Sequence, residues 1–557
     1  MRISIKIKRI WLVLVLGIFG LSAISQAQNC PPHRLILSTQ NMVDSFPINY
    51  PGCDNVSLGL DILGTQITNL DSLYPIKKIG VELKISNTTR LKNLSGLANL
   101  DSVIGNLELR NNDSIWSLQG LGNLKYVDDN LRIFSNPRLE GLQALNQLNY
   151  VGNLRILLNS ALDSLVGIEN LSRVGWGTGN LQIMNNGSLK SLIGLENITC
   201  ENLQIWQNDS LENLLGLENN VVFDGLSLQG NSSLKNLHGL EGLTSLVGVL
   251  HIGGSHELTS LEALQGIRTI GASLSIAYCS SIKNLKGLDS LRSSGTFEIH
   301  KMPGLKNLQH LNKLNWVNGE LKITQNDSLE TLVGLDSLKS IHSDFSINDN
   351  RKLLNLNGIE SLETIDGSLK IQNDSVLDNI WGLKNLKHVE FQISIVRNSK
   401  LSSLNGLDSV DGLFSRLWKL SIYRNPLLTT CAVQSVCDYL GSGKWAEVFD
   451  NAPGCVDTTE ITTDCQSIGI EEKEVDNLII LFPNPFSGGD LNLQLGNQFQ
   501  GTLKISLSDS KGRQILKREL DYSEQIHLSI PVLEPGLYFI KVQDNNDKIV
   551  IQKLLTN

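Results

Sequence analysis

Apolar residues along most of the chain follow a short alternation that returns at a nearly constant interval. Residues 106–129 read NLELRNNDSIWSLQGLGNLKYVDD, and residues 320–343 read ELKITQNDSLETLVGLDSLKSIHS. Most steps between copies are 23 or 24 residues, and the copies begin at residues 82, 106, 130, 153, 180, 202, 225, 249, 273, 296, 320, 344, 368, 392 and 419. A weaker copy begins near residue 56. A period of this length predicts a solenoid of stacked repeats.

In each copy, the two apolar residues of L-x-I point to one face of a short strand, and the residue between them points to the other. A single coil cannot bury its own leucine and isoleucine, so neighbouring coils must stack into one parallel sheet over a continuous apolar interior. At about 4.8 Å per strand, roughly sixteen coils would form a rod on the order of 75 Å long. The sequence therefore predicts a mainly β fold, a parallel β-solenoid of about 24-residue coils over residues 56–430.

A second regularity follows each strand. The residue three positions after the second apolar residue is asparagine at positions 112, 136, 159, 186, 208, 231, 326, 350, 398 and 425. A side-chain amide at this turn can satisfy backbone groups that the strand no longer pairs, one coil above another. Cys279 occupies the same position in its own repeat and is therefore expected to be small and buried.

The whole repeat, L-x-I-x-N-N-x-x-L-x-x-L-x-G-L-x-x-L-x-x-V-x-G, resembles the receptor L-domain branch of leucine-rich-repeat-like proteins. This resemblance covers about residues 56–430 and implies a right-handed parallel β-solenoid. It also implies an extracellular binding role. No ligand-contacting residue of those receptors can be matched here position by position, so none is carried over.

The N-terminus has the three parts of a secretory signal peptide. Basic residues from Arg2 to Arg9 precede the apolar run IWLVLVLGIFGL, and the small residues Ser25 and Ala27 follow it. We therefore expect residues 1–27 to be a signal peptide cleaved after Ala27. A transmembrane anchor is the alternative, but the apolar run is short for one. A lipid anchor on Cys30 is disfavoured because Asn29 precedes it.

The composition argues against two further classes of protein, disordered chains and nucleic-acid-binding proteins. The 557 residues are 41% hydrophobic and 18% charged, with a formal net charge of −9. This apolar fraction is too high for a disordered chain, and the acidic balance argues against a nucleic-acid partner, which would need clustered Lys and Arg.

Cysteines mark the two ends of the solenoid. In an exported chain they are more often disulfides than metal ligands, and the candidates are Cys30, Cys53, Cys431, Cys437, Cys455 and Cys465. They define an N-terminal cap at 28–55 and a disulfide-rich C-terminal cap at 431–465. The last four allow three pairings, and a zinc site is the alternative, although their spacing lacks the short Cys pairs of one. Cys200 and Cys279 are expected to be free and buried.

After a polar, acidic linker at 466–477, residues 478–557 lose the repeat. Their short alternating strands, with turns at Gly488-Gly489, Gly512 and Pro535-Gly536, predict an antiparallel β-sandwich. This segment resembles the C-terminal sorting domain of the type IX secretion system of Bacteroidetes, and the residues that carry the match are Pro483, Asn484, Pro485, Gly512, Gly536 and Tyr538.

The resemblance implies Sec export followed by type IX secretion, with the secretion machinery as a partner. The tail would then be removed, or the protein attached to surface lipopolysaccharide. An ordinary β-sandwich binding module is the alternative.

Catalytic and cofactor motifs are incomplete. HELTS at 256–260 lacks the second histidine of a zinc-protease helix, GSGKW at 441–445 is no phosphate loop, and GWGTGN at 175–180 lacks the third glycine of a dinucleotide site. His251 and His300 should lie two coils apart, roughly 9–10 Å by strand spacing, too far to share a metal directly, and Glu298 does not change this. We therefore expect no enzyme, no metal and no cofactor.

The N-D-S turns suggest two further hypotheses, a calcium site and a glycosylation site. Calcium coordination by their oxygens is less favoured than a plain polar turn. The D-S-aliphatic triplets also resemble the O-glycosylation motif of Bacteroidetes, and this alternative stays open because they are part of the repeat.

One surface feature is not explained by the repeat consensus. In four successive coils, two outward strand positions should stack into an apolar stripe edged by polar groups, and its residues are Arg132, Phe134, Arg155, Leu157, Gln182, Met184, Gln204 and Trp206. Apolar patches with a polar rim often mark binding sites. We therefore predict an extracellular binding or adhesion module for a glycan or protein. The alternatives are packing of the stripe under the 175–179 insertion through Trp176, and a non-binding structural spacer or surface-coat component.

Overall fold

The computed structural model of the chain describes residues 29–175, 179–218, 224–410, 418–468, 479–486, 488–496, 499–545 and 549–556. The chain divides into two compact units, one ending at Cys465 and one beginning at Gln466. The predicted signal peptide and residues 469–477 of the predicted linker lie outside the described residues.

In the part of the first unit that the structure describes, 27 strands form one sheet. The first nine are β1 (Leu35–Leu37), β2 (Asn55–Val56), β3 (Gly59–Leu63), β4 (Lys78–Ile79), β5 (Glu82–Ser86), β6 (Ser102–Val103), β7 (Asn106–Arg110), β8 (Tyr126–Phe134) and β9 (Tyr150–Leu157). The next nine are β10 (Arg173–Val174), β11 (Asn180–Met184), β12 (Asn202–Trp206), β13 (Gly225–Gln229), β14 (Ser245–Leu246), β15 (Val249–Gly253), β16 (Thr269–Ala277), β17 (Ser293–His300) and β18 (Trp316–Val317). The last nine are β19 (Leu321–Thr324), β20 (Ser340–Ile341), β21 (Phe345–Asn348), β22 (Thr364–Ile365), β23 (Leu369–Gln372), β24 (His388–Val389), β25 (Gln392–Val396), β26 (Lys419–Tyr423) and β27 (Ala446–Phe449).

These strands pair in parallel, coil upon coil, as the alternation predicts. Leu131 is in register with Leu154 and Ile133 with Ile156, and all four side chains are fully buried. The result is a parallel β-solenoid of about 17 turns, which confirms the predicted fold class. The sheet runs from Leu35 to Phe449 and so includes one strand from each segment assigned to a cap.

Helices are confined to the ends of this unit and to its corners. The α-helices are α1 (Gln40–Asp44), α2 (Phe46–Asn49), α3 (Gln434–Gly441) and α4 (Thr458–Ile468), and the 3-10 turns are Asp71–Leu73, Ser95–Leu97, Gln143–Leu145, Glu262–Leu264 and Trp381–Leu383. Helix α4 extends three residues beyond Cys465, into the segment predicted as linker. Among the described residues, no helix is both long and apolar enough to cross a bilayer.

A ladder of buried asparagines runs through the solenoid, as the second regularity predicts. The Asn159 Oδ1 accepts from the backbone N–H of Asn136 at 3.1 Å and from its side-chain amide at 3.2 Å. The Asn159 amide in turn donates to the Ile133 carbonyl at 3.0 Å. The ladder extends to Asn451, and Asp374 takes one of its positions.

The cap cysteines form three disulfides, which resolves the pairing that the sequence leaves open. The pairs are Cys30–Cys53, Cys431–Cys455 and Cys437–Cys465. Cys200 and Cys279 are free and buried. Burial raises the pKa of the Cys200 thiol to about 12 and that of the Cys279 thiol to about 11.

The second unit consists of two antiparallel sheets, as predicted. Its strands are β28 (Ile479–Phe482), β29 (Asp490–Leu495), β30 (Thr502–Asp509), β31 (Gln514–Asp521), β32 (Gln525–Ser529), β33 (Gly536–Gln543) and β34 (Ile549–Thr556). One sheet has the order β28-β29-β32 and the other β31-β30-β33-β34. Their alternating apolar residues form one core.

Of the sorting-motif residues, Pro483, Asn484, Pro485 and Gly512 lie in connections of this unit, and Gly536 and Tyr538 lie in β33. Asn484 accepts from the Leu555 N–H at 2.9 Å and donates to the Lys553 carbonyl at 3.0 Å, so it ties the opening segment to the last strand. Gly512 lies in the turn after β30, where its N–H donates to the Asp509 carbonyl at 3.0 Å. The Tyr538 hydroxyl donates to the Glu534 carbonyl at 2.9 Å.

Candidate ligand-binding face of the solenoid

The predicted stripe forms on the outward face of the sheet. Phe134 is in register with Leu157, Leu157 with Met184, and Met184 with Trp206. The second predicted column runs beside it in the same register, and all eight side chains are partly exposed, namely Arg132, Phe134, Arg155, Leu157, Gln182, Met184, Gln204 and Trp206. Trp176, the residue of the alternative in which an insertion covers the stripe, lies outside the described residues. The ligand role of the stripe therefore stays a prediction.

Charge and polarity along the stripe are organised by neighbouring coils. The buried Glu108 carboxylate lies 3.5 Å from an Arg132 nitrogen and 3.7 Å from nitrogens of both Lys84 and Arg110. The next pair, Gln182 and Gln204, joins through an amide hydrogen bond of 2.7 Å. The polar edge of the stripe thus changes from charged to neutral along the solenoid.

Beyond Trp206 the same column loses its large side chains. Trp206 is in register with Gln229, which is followed by Gly253, Ala277 and His300. The small residues leave a groove of about 710 Å³ in the outward face. A Cβ placed at Gly253 would contact only the Ala277 carbonyl oxygen, at 3.4 Å. This glycine therefore keeps space open rather than relieving a clash.

Aromatic rings bound the groove at both ends. At one end, the Trp206 indole N–H donates to the Ser227 hydroxyl at 3.0 Å. At the other, Tyr278 lies immediately after its strand with a φ of 56° and is 46% exposed. The His300 ring meets Tyr278 edge-on with 5.0 Å between ring centroids, and the His300 Nε2 lies 3.2 Å from the Tyr278 hydroxyl.

The polar lining of the groove carries little charge. Burial lowers the pKa of both His251 and His300, which favours the neutral form of each ring. The Ser275 hydroxyl donates to the Glu298 carboxylate at 2.8 Å, and Lys322 is the cross-strand neighbour of Glu298. Within the described residues, no three His, Cys, Asp or Glu side chains lie close enough to hold a metal ion.

The groove is the part of the site that sequence reasoning missed. His251, Glu298 and His300 drew attention only as an incomplete metal set, whereas the structure brings all three to the groove. The available signal was Gly253, at the outward position that carries Met184 and Trp206 in earlier coils. Trp206 belongs to both features, because it ends the stripe and bounds the groove.

These observations define an extended repeat solenoid with a separate antiparallel tail. Residues 480–557 match the family described as the secretion system C-terminal sorting domain. The tail is therefore a type IX sorting domain, which indicates export to the secreted or outer-membrane surface and interaction with the type IX secretion machinery. No curated protein matches the chain at a significant level.

Proposed function

We propose that the solenoid is an extracellular binding or adhesion module whose ligand contacts the outward sheet face between Phe134 and His300. The observation that carries this proposal is the unbroken sequence of stripe and groove on one face of an exported protein. The outward positions elsewhere are mostly polar, except at the far end of the sheet, where Val396, Tyr423 and Phe449 share the same column. An apolar patch with a polar rim is typical of a binding surface.

Side-chain pairing in the groove favours binding over catalysis. The Ser275 hydroxyl donates to Glu298 rather than to a histidine, so the Ser–His pairing common among serine nucleophiles is not formed at this serine. Both nitrogens of His300 have partners, Thr324 at 2.8 Å and Tyr278 at 3.2 Å. We also propose that the tail leads either to release of the protein or to its attachment to surface lipopolysaccharide.

A binding screen tests the proposal. The full-length exported protein, purified with its disulfides intact, is applied to glycan arrays and to arrays of bacterial and host surface proteins. We expect saturable binding that the double variant Phe134→Ala/Trp206→Ala loses. The matched control is Tyr423→Ala/Phe449→Ala, which removes two aromatic side chains that are not buried from the same column at the far end of the sheet.

Three outcomes are distinct. Binding that is lost only in the stripe variant supports a ligand face from Phe134 onward. Binding that survives in this variant would contradict the proposed location. The absence of any saturable ligand would favour a structural spacer or surface-coat component.

A further inference from the structure

The groove between Trp206 and Tyr278 has the shape of an open trough that runs across the strands. The two aromatic residues belong to coils three strands apart, about 14 Å at the usual strand spacing. A second hollow of about 430 Å³ adjoins the groove at Tyr278, and its other lining residues, among them Lys301 and Arg351, lie in the turns after the strands. A ligand that fits the groove is therefore elongated along the line from Trp206 to Tyr278.

The floor of the groove excludes one common mode of peptide binding, in which the peptide pairs with the sheet as an additional strand. Gly253 and Ala277 lie within paired strands of the sheet interior, and their neighbours on both sides are hydrogen-bonded. A peptide that adds a strand needs a free sheet edge, and the groove has none. A ligand must therefore be held by side chains, through ring faces and hydrogen-bonding groups.

The lining offers those two kinds of contact. Trp206 and Tyr278 are the aromatic rings of the groove, and the Lys301 ammonium lies over the Tyr278 ring, 4.9 Å from its centroid. The exposed surface of each ring suits the C–H face of a sugar ring as it suits other apolar surfaces. Gln229 and His251 lie on the coils between them, and Glu298 lies one coil beyond Tyr278. All three supply hydrogen-bond donors or acceptors at the edge of the groove. A hydroxyl both donates and accepts, so a polyhydroxylated ring matches this mixed set.

The charged residues that line the groove favour a neutral sugar over an acidic one. Among the described residues that line the groove, there is no lysine or arginine, and Glu298 is the one carboxylate. An anionic group in the groove would face that carboxylate. The two lysines beside the groove have other partners, since Lys322 pairs with Glu320 at 2.9 Å and the Lys301 ammonium lies over the Tyr278 ring. Resting on the proposed binding function, we infer that the groove binds a linear neutral oligosaccharide laid along the solenoid axis, with Trp206 and Tyr278 stacking on separate rings.

Titration calorimetry with defined probes tests this inference. The probes are cellohexaose, laminarihexaose, mannohexaose and chitohexaose, with hexagalacturonate as the acidic comparison. We expect at least one neutral hexasaccharide to bind and hexagalacturonate to bind at least tenfold more weakly. Trp206→Ala and Tyr278→Ala should each weaken the neutral probe about tenfold, as expected for loss of one stacking contact.

A groove-filling variant locates the site. Gly253→Met places in the trough the side chain that Met184 carries at the equivalent position, and we expect it to abolish binding. Gln372→Met, in the same column five coils further on, is the matched control and should bind like the parent.

Failure has two distinguishable forms. If no neutral probe binds, or if hexagalacturonate binds more tightly, the inference is wrong. If protein-array binding persists in that case and is lost in Gly253→Met, the proposed binding function stands with a protein ligand. If no array binds either, both are wrong.

Discussion

The indole N–H of Trp206 donates a hydrogen bond of 3.0 Å to the Ser227 hydroxyl on the next coil. Ser227 lies in the outward column beside Trp206, in register with Gln204, and is nearly buried. This bond crosses from one coil to the next and fixes the ring at the boundary between stripe and groove. The two residues together therefore position the aromatic wall on which the binding proposal depends.

Ser227→Ala should loosen this ring without unfolding the coil. We expect the Trp206 emission, isolated as the difference from a Trp206→Phe background, to shift to longer wavelength. Affinity for the bound hexasaccharide should fall roughly fivefold, because one neutral hydrogen bond contributes about 1 kcal/mol. Ser394→Ala, in the same column and bonded to Gln372 instead, is the control. Unchanged emission and affinity in Ser227→Ala would show that the bond does not position the ring.

Two glycines should respond in opposite ways to a side chain. Gly253→Met adds atoms to open space, so we expect a free energy of unfolding within about 0.5 kcal/mol of the parent. Gly120 has a φ of 111°, and a Cβ there would lie 1.8 Å from the Leu94 carbonyl oxygen. We expect Gly120→Ala to lower the stability by at least about 2 kcal/mol. Urea unfolding followed by circular dichroism compares them, and equal losses would mean that the groove is not open.

The repeat pattern was sufficient to predict the sheet and the register of the stripe. Because each coil is a near copy of the last, Phe134 and Trp206 had to fall in one column once the L-x-I strands stacked. The buried asparagine ladder was equally accessible, since Asn159 and its equivalents recur at one position. Periodicity therefore determines which side chains share a face.

The groove, by contrast, could not be predicted from the repeat pattern. In the sequence, a glycine such as Gly253 shows only that a side chain is missing. It leaves a cavity because Ala277 lies beside it and larger aromatic rings lie at either end. Tyr278 occupies the left-handed position that follows the strand in other coils too, as Asn185 and Gln207 do, so only its aromatic ring departs from the repeat. The structural consequence of a departure from the repeat is therefore apparent only when its neighbours in three dimensions are known.

Asp374 is a departure of a different kind, within the ladder. Its Oδ1 accepts from Asn350, as an asparagine would, but its Oδ2 is buried without a hydrogen-bond partner among the described atoms. At the equivalent positions, the amides of Asn350 and Asn398 donate to the carbonyls of Ile323 and Ile371. Burial raises the pKa of Asp374 to about 7.

This carboxyl should make stability depend on pH. Because its pKa in the folded protein exceeds the ordinary value of 3.8, its contribution is present below pH 4 and is lost as the pH rises to about 7. Asp374→Asn should match the parent near pH 4 and exceed it by roughly 2–4 kcal/mol at pH 8. Urea unfolding at both pH values measures the difference. A variant less stable than the parent at pH 8 would contradict this assignment.

The cysteines give a chemical test of the described disulfides. Cys200 and Cys279 are buried with raised thiol pKa values, so neither should react with Ellman's reagent in the folded protein. Unfolding without a reductant should expose two thiols, and unfolding with subsequent complete reduction should expose all eight cysteines. More than two reactive thiols before reduction would show that at least one of the three disulfides is not formed.

The most direct test of the account is a crystal structure of the full-length protein with the neutral hexasaccharide that binds most tightly. We predict sugar rings in the trough over Gly253 and Ala277, stacked on Trp206 and Tyr278 and running along the solenoid axis. A hexasaccharide bound on another face, or a trough that stays unoccupied while calorimetry shows saturation, would contradict the claim that this groove is the ligand site.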